Sequence, residues 1–181
     1  MSKKLFIKLA RSAISDAIEH TSSINEDTYL EEFPDFSKHA ATFVTLTING
    51  QLRGCIGSLN AERSLFEDIS SNARAAALTD PRFPRLTAEE FSKVKVEISL
   101  LTEPKELVYK SINDLKSKVT KKDGVILKRG SAQATFLPQV WAQIPSFEGF
   151  FSQLCEKAGL DGMCLQGHPQ IYLYQVVKFQ E

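Results

Sequence analysis

A chain of 181 residues with 43% apolar side chains fits one domain, or one domain with a small subdomain, and can build a core without staples. Lysine plus arginine and aspartate plus glutamate each number 22, so no general field draws in nucleic acid or an anionic membrane. No stretch approaches the ~20 apolar residues of a membrane span, and the spread of apolar residues argues against global disorder.

The N-terminal stretch carries Leu5, Phe6, Leu9, Ala10, Ala13, Ile14, Ala17 and Ile18 at helical spacing, interrupted by Lys8, Arg11, Asp16 and Glu19. This predicts an amphipathic helix packed on a core and not a targeting segment. Without an export signal the chain is expected in the cytoplasm, with its three cysteines as reduced thiols. Residues 21–41 are polar and punctuated, and read as a connection over the surface. TFVTLTI at 42–48 is a strand, Asn49-Gly50 is a hairpin turn, and QLRGCI is the returning strand.

Residues 61–78 read as a helix with the stripe Leu65, Phe66, Ile69, Ala73, Ala76 and Ala77, capped by Asn60 or Ser58. The prolines of TDPRFPRL at 79–86 break the chain, and Thr87 to Glu90 has capping-box spacing. From Val94 the run VKVEISLL alternates, with Val94, Val96, Ile98 and Leu100 turned inward. A helix follows from Ser111, then a second hairpin from GVILKRG and QATFLPQVW. The next helix is capped by Ser146 and stopped at Gly159, and QIYLYQVVKF is one final strand. Hairpins mixed with helices predict an α+β fold with a largely antiparallel sheet flanked by helices.

The first hairpin holds the chemistry. A two-residue loop pairs Ile48 with Gln51, Leu46 with Arg53 and Val44 with Cys55, which puts Arg53 and Cys55 on one face. A fixed positive charge there favours a thiolate, making Cys55 a candidate nucleophile or redox thiol. The bland reading is a small buried cysteine, with Arg53 anchored to a carboxylate such as Asp68, Asp80 or Glu97. Gly54 and Gly57 predict a bulge or a close approach to the backbone, by the following helix or by a ligand. Cys155, Cys164 and His168 match no zinc spacing, core burial being the default for Cys155. None of His20, His39 and His168 is placed beside Cys55. The basic run through Lys116, Lys118, Lys121, Lys122, Lys128 and Arg129 is read as a solvated face, not a nucleic-acid site.

TFVTL, LRGCIGSL, SNARAAALTDPRFPRLT, VKVEISLL, GVILKRG and TFLPQVW together resemble the AMMECR family, whose hallmark is LRGCIG, here residues 52–57. The resemblance covers nearly all the chain from about residue 40. It implies an α+β protein with a larger subdomain and a smaller one built from an internal portion of the chain. Similar proteins are component A of the AmmeMemoRadiSam system, beside a Memo-type protein and a radical S-adenosylmethionine enzyme. The family brings no established reaction, cofactor or catalytic residues. With no acid–base set in view beside Cys55, an accessory or binding component is the preferred expectation, with Arg53, Gly54 and Gly57 as binding residues. The alternative is an enzyme using Cys55, assisted by Arg53. Oligomeric state is not legible.

Overall fold

The apolar stripe of the N-terminal segment forms helix α1 (Lys3–Glu19), burying Phe6, Leu9, Ala10, Ala13 and Ile14. In this computed structural model, which describes residues 3–181, α1 belongs to a unit that runs to Leu101 and takes in Val177–Glu181. A second unit comprises Thr102–Val176. Strands come in consecutive pairs between helices, with no closed barrel among the described residues, and both sheets are antiparallel, as suits an α+β fold.

In the first unit β1 (Ala41–Ile48) and β2 (Gln51–Gly57) are joined by Asn49 and Gly50, both at positive φ (52° and 78°). Such a turn matches the twist of the flanking strands, which is why Asn-Gly suits it. With β3 (Lys95–Leu101) and β8 (Val176–Gln180) they form a sheet in the order β2-β1-β3-β8. One face of this sheet, carrying Val44, Leu46, Val96 and Ile98, packs into a core with α1 and α3 (Leu65–Leu78). All six expected stripe residues of α3 are buried, but the helix opens at Leu65. Ser64 is the cap, in a reciprocal box with Glu67, and that S-x-x-E outcompetes Asn60 and Ser58.

The segment 21–41 is not merely a connection. Asn25 caps α2 (Glu26–Glu32) by accepting from Thr28 N–H at 2.9 Å, and Phe36 on the following 3₁₀ turn is fully buried. Its aromatic residues Tyr29, Phe33 and Phe36 pack on one another and on Phe6 and Phe66. α4 (Ala88–Phe91) begins at Thr87 with the expected box to Glu90.

The second unit holds β4 (Lys105–Glu106), α5 (Ile112–Lys118), β5 (Gly124–Arg129), β6 (Ala132–Phe136), α6 (Val140–Gln143), α7 (Phe147–Lys157) and β7 (Gln170–Tyr174). Its sheet order is β4-β7-β5-β6, with a core around Phe150, Phe151, Leu127 and Trp141. Trp141 lies on the α6 turn, beyond the strand, and stacks on Phe150 at 3.6 Å between centroids. The expected single final strand is two strands in two different sheets: β7 ends at Tyr174 and β8 starts at Val176. At Gln175 the partner is Thr102, whose N–H donates to the Gln175 carbonyl at 2.9 Å.

Two cysteines depart from the expected thiols: Cys155 on α7 and Cys164 form a disulfide. Both are buried, and the nine-residue separation lets a 3₁₀ turn (Cys164–Gly167) fold back onto the end of α7. Cys55 is the free cysteine among the described residues.

Candidate functional site: the LRGCIG hairpin

The hairpin does not keep the simple two-residue register. Ile48 pairs with Gln51 and Thr47 with Leu52, but Leu46 then faces Gly54, Thr45 faces Cys55 and Val44 faces Ile56. Arg53 is the extra residue of a β-bulge. The expected pairs Leu46–Arg53 and Val44–Cys55 are therefore replaced, and the slip moves Cys55 to the face opposite the core. Gly54 lands on the core face, where an added Cβ would overlap the Ala76 carbonyl of α3. At Gly57 a Cβ would enter the Phe43 ring. The close approach at both glycines is made by the protein's own packing.

Cys55 is half-buried, with its Sγ 3.3 Å from the Thr45 hydroxyl. Its backbone lies on the edge strand β2, where outward N–H and C=O groups need covering. The 79–86 segment supplies the cover. Cys55 N–H donates to Asp80 Oδ2 at 2.8 Å, and Arg82 Nη2 donates to the Cys55 carbonyl at 3.0 Å. Asp80 also accepts from the Arg82 guanidinium at 2.8 and 3.0 Å. The Arg82 hydrogen bonds hold the Asp80 carboxyl well below the usual carboxylate range, against the opposing effect of burial.

Arg53 does not reach Asp68, Asp80 or Glu97. Its Nε and Nη2 donate to the two carboxylate oxygens of Glu90 at 3.0 and 2.9 Å, a bidentate fork. That pairing pulls the Glu90 carboxyl down to about 2. The guanidinium also lies over the Phe83 ring, 5.9 Å from its centroid, and the side chain is only 11% exposed. Its third nitrogen, Nη1, is buried with no partner among the described residues. Glu90 is the residue that sequence reasoning missed. Its capping role at Thr87 was visible, but not that the same carboxylate reaches back 37 positions.

Asp68 instead anchors the far end of the motif. It is buried and accepts from Thr42 N–H (2.8 Å), Thr42 Oγ1 (2.7 Å), Ser58 Oγ (2.7 Å), Arg63 Nη2 (2.8 Å) and Asn72 Nδ2 (2.9 Å). This closed network ties the start of β1 and the end of β2 to α3, because a buried carboxylate requires several donors. His168 lies in the second unit, stacked on Tyr109 with centroids 4.1 Å apart. In the basic run, Lys116 pairs with Glu148 and Lys118 with Asp114. Among the described residues, no cluster of three metal-ligating side chains occurs, and no helix is long and apolar enough to cross a membrane.

The chain is a two-unit α+β protein whose edge strand carries L-R-G-C-I-G beneath an Asp80–Arg82 clasp. The AMMECR1 family model matches residues 7–179, and this chain belongs to that family. It is 36% identical to a protein of Methanosarcina mazei over 97% of this chain and 89% of that one. A protein of Methanothermobacter thermautotrophicus is 34% identical, covering 98% and 93%. The crystal structure of an uncharacterised protein from Pyrococcus horikoshii superposes with a TM-score of 0.81 at 30% identity, covering 98% of this chain and 90% of that one.

Proposed function

We propose that this chain is a binding or accessory component that uses the exposed side of the LRGCIG hairpin, acting in the cytoplasm beside a Memo-type protein and a radical S-adenosylmethionine enzyme. The observation that carries this reading is the orientation of the motif. The Arg53 fork is committed to Glu90, while Leu52 stands 45% exposed next to it. An arginine neutralised by its own carboxylate braces a surface more than it activates a neighbouring thiol, and an exposed leucine on a braced edge suits a protein contact. The test is co-expression of the tagged full chain with the two companion proteins of the same genome. Capture that weakens in Leu52→Glu supports the reading; no capture of either companion by the unaltered chain sinks it.

A second reading, an enzyme using Cys55 as nucleophile or redox thiol assisted by Arg53, is favoured by the half-exposed thiol and the Thr45 hydroxyl beside it. A hydroxyl there can donate to a thiolate and stabilise it. Iodoacetamide labelling of the native protein across pH 5 to 9, read by mass spectrometry, decides. Labelling of Cys55 faster than that of a free model thiol at neutral pH shifts the assignment to this reading. Labelling only on unfolding removes it.

A further inference from the structure

On the face of the first sheet opposite the core, β1 and β3 set Thr45 across from Glu97 and Thr47 across from Lys95. The neighbouring strand β8 adds Lys178 and Gln180 on that face, since Phe179 between them stacks on Phe6 in the core. Thr45, Thr47, Lys95, Glu97 and Gln180, with Val96 and Glu181, line a cavity of about 250 Å³. At ~30 Å³ per water that space holds roughly eight water-sized groups, the size of a small amino acid.

The charges in the cavity are unequal in their commitments. Glu97 Oε1 accepts from Lys178 at 2.9 Å, and Oε2 has no bonded donor among the described residues. Glu181, on the rim, accepts from Arg11 at 3.1 Å and from Val96 N–H at 3.3 Å. Lys95 is exposed and belongs to no ion pair among the described residues. Residues 95 and 97 sit two apart on one strand, so their side chains project in parallel from Cα atoms roughly 6.6 Å apart. A ligand that carries both charges can therefore meet each of them through a charge-assisted hydrogen bond of ~2.8 Å. A purely anionic ligand meets Glu97 and Glu181, and a purely cationic one meets Lys95.

We propose that this cavity is a binding site for a compact zwitterion of the α-amino-acid class. Its carboxylate pairs with Lys95 and the Thr47 hydroxyl, and its ammonium pairs with the free oxygen of Glu97. Thr45 lines the same cavity and bonds the Cys55 thiol, so an occupant is sensed at the LRGCIG hairpin through one hydroxyl. The site adjoins the surface of the partner reading above, since Thr47 pairs with Leu52, but its ligand contacts use neither Leu52 nor Arg53.

The test is an amide-resolved NMR titration of the full chain with L-serine, with acetate and ethylamine as single-charge controls. Expected are saturable shifts at Thr45, Thr47, Lys95, Glu97 and Gln180, with each single-charge probe binding at least tenfold more weakly than serine. Lys95→Met and Glu97→Gln each weaken serine binding by roughly ten- to a hundredfold, the usual loss of a hydrogen bond to a charged group. Both positions are on the solvent side of the sheet, so the variants keep the amide pattern of the folded protein. No saturable shift by about 20 mM serine overturns the proposal. So does acetate binding as tightly as serine, or serine affinity unchanged in Lys95→Met. Companion capture by Lys95→Met stays at the level of the unaltered chain, so failure here and failure of the partner reading are separable.

Discussion

Replacing Gly54 by alanine tests the bulge directly. In the bulged register the new methyl group projects toward α3 and overlaps the Ala76 carbonyl, a backbone atom that no rotamer change can move aside. Either α3 shifts from the sheet or β2 does. Overpacking of this kind costs ~1–3 kcal/mol, and a rigid backbone neighbour places Gly54→Ala at the upper end. The smaller conformational entropy of alanine in the unfolded chain returns ~0.4–1 kcal/mol, leaving a net loss of about 2 kcal/mol. For a unit of roughly 100 residues, that corresponds to a Tm lower by about 8–16 °C. Urea unfolding followed by far-ultraviolet circular dichroism measures it, with Cys55→Ala on the opposite face as the control, expected to lose no more than ~1 kcal/mol. In an unbulged hairpin Gly54 would face away from α3 and the extra methyl would be harmless. A Gly54→Ala protein within ~0.5 kcal/mol of the parent would therefore refute the register argument.

Further outcomes follow from the clasp, the fork and the disulfide. Asp80 has a depressed folded carboxyl, so its contribution is present above the ordinary unfolded value near ~3.9 and lost as pH falls below it. The urea midpoint should drop between about pH 4 and pH 2.5, and Asp80→Asn should flatten that drop while lowering stability at pH 7. Arg53→Lys keeps the charge but loses the two-pronged bond to Glu90. A loss of about 1 kcal/mol is expected, largely absent in a Glu90→Gln background; equal losses in both backgrounds would contradict the coupling. Thiol titration of the unfolded, unreduced chain should find a single reactive thiol, Cys55, and three would overturn the Cys155–Cys164 bond.

The parts of the fold that were legible in the sequence are those with local causes. Asn49-Gly50 announces its turn, the α1 and α3 stripes announce their buried faces, and Thr87 with Glu90 announces a cap. Gly54 and Gly57 pointed to a bulge as one alternative, but its place at Arg53 and the register it sets were not legible, because register is normally set by alternating side chains and the glycine at 54 contributes none. Arg53 had several carboxylates within plausible reach, and only the path of the 79–86 segment brings Glu90 to it. α2 escaped notice because a seven-residue polar helix has no stripe, although Asn25 followed by Glu26 and Asp27 is a fair N-terminal signal. The division of the final strand at Gln175 has no proline, glycine or charge to mark it. It is set by which sheet edge each half meets.

The strand β8 has a consequence for the order in which the chain can become native. Residues Val177–Glu181, which hold all of β8 but its first residue, complete the first sheet beside β3, stack Phe179 on Phe6 and bring Glu181 to Arg11, yet they are translated after everything in the second unit. On the ribosome the earlier-made unit must wait with one sheet edge open and Phe6 lacking its stacked partner. The later-made unit, closed by β7, has all its strands first. Vectorial synthesis, which ordinarily lets N-terminal modules settle before those behind them, is here inverted by a last-arriving strand.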